Sequence, residues 1–182
     1  MTIGKFSPVA VMIGLTAAMW MVISGKMELV QWVPFLSWAL FYGAGAGKFS
    51  RVPKELIGLT GGLIAAVLVV YLAGPATEMF GDFGLPVLVF FAGTIIVLLE
   101  LTNWFELAPA YFYSFAGFFA FLFGGFYKGM NAMNFELVLN FWVLLLIGAG
   151  LGVLTAFLKD RILDAMKVPE DQRQTVFDKE KK

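Results

Sequence analysis

Two glutamates stand at matching positions of two similar segments, and their carboxylates are the first candidates for chemistry. Glu28 opens the segment 28–47 and Glu106 opens the segment 106–125. In both segments a proline and a run of aromatic residues follow, and glycine ends the segment. A carboxylate at the mouth of a membrane passage attracts cations or accepts hydrogen bonds from an amide or amine solute. The competing interpretation is an acid at a helix start, which the helix dipole favours.

Rings and hydroxyls in the middle of the same segments form a second candidate set. Rings narrow a passage and exclude water, and a few hydroxyls can hydrogen-bond a small neutral solute. Ser37 and Trp38 lie near mid-span and fit such a passage, whereas Tyr111 and Tyr113 also fit the aromatic belt at a membrane surface. We expect the substrate path along the aromatic segments 30–47 and 107–125 to involve Glu28, Ser37, Trp38, Tyr42, Glu100, Glu106, Tyr111 and Ser114.

Glu100 belongs to this set because it closes the apolar run 85–99. An ionisable side chain inside a membrane span is costly and is usually functional. A shift of one residue in the helix boundary would instead put Glu100 at the membrane surface. Both interpretations stay open.

The composition indicates a membrane protein. Of the 182 residues, 60% are hydrophobic and 14% are charged, and the mean hydropathy is +0.83. Soluble domains average about 45–50% apolar and about 25% charged residues. The net charge is zero, so nothing indicates nucleic acid as a partner, and the expected environment is a lipid bilayer.

Histidine and cysteine are absent from the sequence. This removes imidazole bases, thiol nucleophiles and the usual ligands of zinc, copper and haem. We therefore expect no enzymatic activity, no cofactor and no metal site.

Six apolar segments predict an all-α integral membrane protein with six transmembrane helices. Eighteen residues at about 1.5 Å each just cross a hydrocarbon core of about 30 Å. With both termini in the cytoplasm, every Lys and Arg except Lys26 and Lys128 falls on the inner side, as the positive-inside rule requires. The predicted spans are 7–24, 30–47, 56–73, 85–99, 107–125 and 137–158, with a turn-rich loop over 74–84.

The spans form a membrane domain, residues 1–158, followed by a charged cytoplasmic tail, residues 159–182. Pro8 and Pro86 are separated by the same 78 residues as Glu28 and Glu106. The spacing indicates a duplication, with repeat one at 7–73 and repeat two at 85–158. Because each repeat has three spans, the copies must be inverted, which is typical of transporters. A duplication that only built a stable bundle is the alternative.

The strings FLSWALFYGAGAG and AYFYSFAGFFAFLFGG, with the glycine-rich helix after the first, resemble the YcdZ-like family of small bacterial inner-membrane proteins, grouped as a domain of unknown function. The resemblance covers about residues 8–158. It implies a multi-pass protein of the bacterial inner membrane and brings no substrate or catalytic residues.

Three functions are open at this point. The first is a channel or facilitator for a small, mostly neutral solute such as urea, an amide, a small acid or a gas. The second is a proton-coupled secondary transporter in which Glu28, Glu100 or Glu106 titrates. The third is a non-transporting scaffold or accessory subunit. The many phenylalanines and small-residue faces predict a homo-oligomer in each case.

Overall fold

The chain is all-helical in the part that the structure describes. The computed structural model describes residues 1–45 and 47–173, the side chain of Asp171 excepted, so the end of the predicted charged tail, residues 174–182, lies outside it. The α-helices are α1 (Ile3–Lys26), α2 (Val33–Gly43), α3 (Val52–Phe80), α4 (Gly84–Leu99), α5 (Ala108–Phe123) and α6 (Phe135–Ala165). Short 3-10 helices occur at Phe49–Arg51, Gly81–Phe83 and Glu170–Gln172.

Three helical stretches of the described chain are long and apolar enough to cross a membrane, which is compatible with the membrane character predicted from the composition. They are Ile3–Lys26, Phe49–Leu99, in which 3-10 turns connect α3 and α4, and Phe135–Ala165. The two remaining apolar helices are shorter. At about 1.5 Å per residue, the 11 residues of α2 rise about 16 Å and the 16 residues of α5 about 24 Å. A helix over all of 30–47, as the sequence predicts, is therefore not formed.

The prediction of a turn-rich loop over 74–84 is wrong. Helix α3 continues through Pro75 to Phe80, and the chain reverses within the 3-10 turn that follows. Gly81 provides this reversal with a φ of 58°, a conformation that glycine adopts at little cost. The backbones then approach closely, since a Cβ on Gly84 would lie 2.5 Å from the carbonyl carbon of Ala76.

Two helices carry most of the packing. Helix α3 packs against α4 and α5, and α6 packs against α1 and α2. Glycines make these contacts close, because a stripe of small residues lets backbones approach in a membrane protein. On α3, Gly58 and Gly62 face α5, and on α6, Gly148 and Gly152 face α2.

Aromatic rings fill the centre of the bundle, between α5 and α6. Phe118 and Phe121 of α5 contact Phe141 of α6, with ring centroids 5.5 and 5.2 Å apart. The side chain of Leu36, from α2, lies against Gly117. All three rings are fully buried, so the middle of the molecule is apolar and closely packed.

Both chain ends of the described part lie at one end of the bundle, which we call the terminal end. Val9 near the start of α1 packs with Leu163 near the end of α6. At the opposite end, Trp32 before α2 meets Phe126 after α5, with ring centroids 5.4 Å apart. Successive helices therefore run in alternating directions.

Candidate functional site

Ser37 holds α2 against α6. Its hydroxyl is fully buried and donates to the carbonyl oxygen of Leu145 at 2.7 Å. The approach is close because Gly148 offers no side chain. A Cβ there would meet the hydroxyl of Ser37 and lie 2.7 Å from the carbonyl carbon of Pro34. The hydroxyl predicted to line the path is therefore committed to a helix contact in this arrangement.

Trp38 and Tyr42, two further predicted path residues, meet at Thr155 of α6. The indole Nε1 of Trp38 and the phenol of Tyr42 each donate to Thr155 Oγ1 at 3.0 Å. That hydroxyl in turn donates to the carbonyl of Leu151 at 2.8 Å. A threonine hydroxyl has one donor and two acceptor positions, so all three are used. Sequence reasoning missed Thr155, because a single threonine in an apolar helix carries no pattern.

The contact between α3 and α5 is different, because it contains buried polar groups without partners. Both carboxylate oxygens of Glu55, the phenol of Tyr111 and the hydroxyl of Ser114 accept and donate no hydrogen bond in the described structure. Glu55 and Ser114 are 0% exposed, and Tyr111 is 3% exposed. Tyr111 and Ser114 were predicted path residues, whereas Glu55 was not among the predicted site residues.

Helical spacing arranges these groups along one interface. Glu55 precedes Gly58 and Gly62 by three and seven residues, so the three share one face of α3. A Cβ on Gly58 would lie 3.3 Å from Cε2 of Tyr111, and Ser114 follows Tyr111 by one turn. Glu55 therefore lies one helical turn from the Tyr111 contact.

Glu106 lies at the terminal end, in the link before α5. Nζ of Lys54 donates to its Oε1 at 2.8 Å, which connects the start of α3 to the start of α5. This hydrogen bond lowers the pKa of the Glu106 carboxyl, and the positive charges of Lys54 and Arg51 act in the same direction. The carboxylate is therefore fixed at an ion pair that is partly exposed.

Glu28 and Glu100 are both exposed and lie apart from these contacts. Glu28 has a φ of 54° in the turn before α2 and borders an open cavity of about 670 Å³ at the end opposite the terminal end. Trp32 and Phe126 also line this cavity. Glu100 caps the C-terminus of α4. The predicted set is thus divided between two helix interfaces and three separate carboxylates.

A further cavity of about 780 Å³ opens between α3 and α4. Its lining is apolar except for the hydroxyls of Thr60 and Tyr111. Because the flanking side chains such as Leu68 and Phe91 are exposed, this cavity is a groove in the outer surface of the bundle.

A family model described as "Protein of unknown function (DUF1097)" matches residues 10–162. No curated protein and no solved structure matches the chain. The match covers all six helices except the first residues of α1 and the last residues of α6.

Proposed function

Starting from the membership of this chain in the DUF1097 family of proteins of unknown function, we propose that it transports a small, mostly neutral solute across a membrane. A urea- or amide-like molecule, a small acid or a gas fits the sparse polar groups of the interior. The proposal includes six transmembrane spans in two inverted repeats, with both termini on the cytoplasmic side. The bacterial inner membrane is the location that the resemblance to YcdZ-like proteins implies.

The observation that carries this proposal is the exchange of helices between the two halves. The first and second helices of the first half, α1 and α2, pack on α6 of the second half. The first and second helices of the second half, α4 and α5, pack on α3 of the first half. Such reciprocal packing is what a two-fold axis in the membrane plane generates, and inverted repeats of this kind are typical of transporters.

Detailed contacts support the same axis. Gly148 of α6 lies against the carbonyl of Pro34 in α2, and Gly62 of α3 lies against the carbonyl of Tyr111 in α5. Both partner helices are short and have a proline in the first turn. Transporters often place short or interrupted helices at the substrate site, where surrounding protein covers the non-helical backbone.

The arrangement favours a gated route over an open pore. Ser37, Trp38 and Tyr42 are bonded to α6, and the rings of Phe118 and Phe141 fill the centre. A solute can use the predicted path only if α2 moves relative to α6, or α5 relative to α3. The described conformation is then the closed one. The exposed apolar side chains leave ample surface for lipid and for the homo-oligomer that we also propose.

Stopped-flow light scattering on proteoliposomes tests transport directly. Urea, acetamide, glycerol, formate and ammonium are applied in turn, and we expect faster entry of at least one solute than into protein-free liposomes. Rates equal to those of empty liposomes for every solute in the panel would contradict the proposal.

A disulfide lock tests the gating step. A Cβ on Gly152 would lie 2.8 Å from Cβ of Phe41, which is shorter than the Cβ–Cβ separation of about 3.5–4.5 Å in a disulfide. A small outward shift of α2 therefore has to accompany the bond by which Phe41→Cys with Gly152→Cys joins α2 to α6. The chain has no native cysteine, so no other disulfide can form. We expect oxidation to abolish solute entry and reduction to restore it, while each single-cysteine variant is insensitive to oxidant. Equal entry before and after complete cross-linking would exclude movement of α2.

A further inference from the structure

The α2–α6 and α3–α5 contacts occupy equivalent places in the two halves, but they differ in whether their buried polar groups are hydrogen-bonded. At the α2–α6 contact, the hydroxyl of Ser37 and the side chains around Thr155 are all hydrogen-bonded. At the α3–α5 contact, Glu55, Tyr111 and Ser114 have no partner. Buried polar groups are almost always paired, and an unpaired group commonly marks a functional site or a bound species. The α3–α5 contact is therefore the better candidate for a binding site.

Among these groups, Glu55 is the one whose burial costs the most free energy. An ionised carboxylate buried without a hydrogen-bond donor loses several kcal/mol or more of hydration free energy, so a carboxyl in this position is held as the neutral acid. If a conformational change exposes the same carboxyl to water, it ionises and releases its proton. A group that alternates between these two environments binds a proton on one side of the change and gives it up on the other.

No neighbouring charge neutralises Glu55 in the described structure. The titratable side chains at this end of α3 and of the elements packed around it are Tyr42, Lys48, Arg51, Lys54, Glu100, Glu106, Tyr111, Lys159, Asp160, Arg161 and Asp164. None of them is hydrogen-bonded to Glu55. Lys54 is bonded to Glu106, and Arg51 donates to the carbonyl of Ala44 at 3.1 Å.

The position of Glu55 allows a movement of one neighbouring helix to expose it to water. It lies in the first turn of α3, at the terminal end of the interface with α5. The Lys54–Glu106 ion pair bridges the starts of the same two helices at 2.8 Å. Movement of α5 away from the glycine face of α3 would separate this ion pair and open the interface from that end, which admits water to Glu55.

Resting on the proposed transport function, we propose that Glu55 is the proton-binding residue of the transport cycle and that Tyr111 and Ser114, on the facing helix, complete the polar site that opens with it. Solute movement in one direction is then coupled to protonation of Glu55. This assigns the coupling carboxylate to a residue other than Glu28, Glu100 and Glu106, which are exposed or ion-paired.

Carbodiimide labelling of the unmodified protein tests the protonated state without a variant. Dicyclohexylcarbodiimide reacts with protonated carboxyls in apolar surroundings. In nanodiscs at neutral pH, peptide mass spectrometry should find the adduct at Glu55 in preference to Glu28 and Glu100, with the yield falling at least several-fold at alkaline pH. Labelling of Glu55 no greater than that of Glu100 at neutral pH overturns the proposal.

Transport under an imposed pH gradient tests the coupling. Urea, acetamide and glycerol, which do not ionise near neutral pH and so are not trapped by the gradient itself, are each supplied at equal concentration on both sides. We expect the gradient to drive accumulation of the transported one. Glu55→Gln should abolish this accumulation while exchange without a gradient persists, and Glu55→Asp should retain part of it. Glu78→Gln, which removes an exposed carboxylate at the other end of the same helix, is the matched control and should behave as the unmodified chain. Gradient-driven accumulation that survives in a folded Glu55→Gln protein overturns the proposal.

The two proposals fail separately. If no solute of the panel enters, the transport function fails, whereas preferential labelling of Glu55 still supports a buried proton-binding carboxyl. If a solute enters but its distribution ignores the pH gradient, transport stands and the role of Glu55 in coupling is wrong. If Glu55→Gln does not fold, labelling of the unmodified chain and the Glu55→Asp protein decide the question.

Discussion

At the scale of single residues, Thr155 organises more of the polar interior than any other side chain in the described structure. It accepts from Trp38 and Tyr42 and donates to a backbone carbonyl of its own helix. Its contribution is therefore cooperative, because the loss of one oxygen leaves two donors on α2 without an acceptor. The α2–α6 contact therefore depends on this oxygen as well as on apolar packing.

Replacing this hydroxyl with a methyl group measures the effect. Thr155→Val keeps the volume but removes the acceptor that the indole of Trp38 and the phenol of Tyr42 share. The indole N–H of Trp38 is buried and loses its acceptor, whereas the phenol of the partly exposed Tyr42 can bond water instead. One unsatisfied buried group costs about 1–3 kcal/mol, so we expect the free energy of unfolding to fall by about 2 kcal/mol in a detergent titration. Thr94→Val is the control, because Thr94 bonds only the carbonyl of Phe90 and is exposed. Equal effects of the two substitutions would show that the polar contacts at Thr155 contribute nothing.

The Lys54–Glu106 ion pair gives a pH-dependent prediction. The pKa of Glu106 is lowered in the folded protein, so the pair stabilises the fold above the usual carboxyl pKa. This contribution is lost as the pH falls through the lowered value. We expect carbon-13 NMR of labelled glutamate to show the Glu106 pKa rising toward its ordinary value in Lys54→Met. Lys48→Met, which removes a positive charge from the same segment 48–54 that does not bond Glu106, should leave the titration unchanged. An identical shift in both variants would contradict the hydrogen bond as cause.

Single residues also set the limit of sequence reasoning at this site. Ser37, Trp38 and Tyr42 were grouped because aromatic and hydroxyl side chains recur in one segment, and the structure does bring them to one helix interface. Glu55 escaped notice as a site residue because an acid after proline and lysine is typical of an exposed first turn. Its burial depends on the glycine face that follows it in α3, and thus on how closely α5 approaches, which no local pattern specifies.

At the scale of helices, glycine is the main reason that neighbouring helices pack closely. Two glycines on different faces of α6 allow a matched comparison. A Cβ on Gly148 would lie 2.7 Å from the carbonyl carbon of Pro34, whereas nothing lies within 4 Å of one on Gly150. Gly148→Ala should destabilise the protein by about 1–3 kcal/mol through overpacking. Gly150→Ala should be neutral or stabilising by up to about 1 kcal/mol, because alanine favours the helix. A thermal melt of both in the same detergent checks this, and equal losses of stability would disprove the close α2–α6 contact.

Helix boundaries were predictable where hydropathy alone decides them. The predicted span 85–99 matches Gly84–Leu99, and 107–125 nearly matches Ala108–Phe123. The errors have two causes. Proline and glycine were read as a loop at 74–84, although Pro75 is tolerated inside α3 and Gly81 alone suffices for the reversal. In segment 30–47, the helix begins late and ends at Gly43, before the glycine-rich end of the segment.

At the scale of the whole molecule, the exchanged packing explains why neither half is a self-contained unit. The glycine faces of α3 and α6 are each covered by helices from the other half. Because α3 and α6 each contact helices of the other half, a structural change in one half is transmitted through these two helices rather than along the chain. This connectivity suits two alternating arrangements, in which one contact loosens while its counterpart stays bonded.

The number of membrane crossings depends on whether α2 and α5 cross the membrane completely, and the two cases put different loops on each side. With both termini inside, as proposed, and with α2 and α5 completing their crossings through flanking non-helical backbone, the turn at Asp82 lies outside and the link at Thr102 inside. If α2 and α5 instead enter and leave on one side, both sites exchange sides while the termini stay inside. Single cysteines replacing Asp82 or Thr102 in this cysteine-free chain can be labelled in intact cells with a membrane-impermeant maleimide.

We expect the cysteine at position 82 to be labelled in intact cells and the one at position 102 only after lysis. Thr102 precedes Glu106 by four residues at the terminal end, where most of the described Lys and Arg residues lie, and the positive-inside rule favours the cytoplasm for that end. Thr2→Cys is the inside reference, since α1 begins there, and Ala132→Cys after α5 is the outside reference. The reverse pattern at 82 and 102 would leave α2 and α5 as half-crossings. The proposed inverted-repeat symmetry would then also be wrong, because three full spans per half are what force the second copy to enter the membrane from the opposite side.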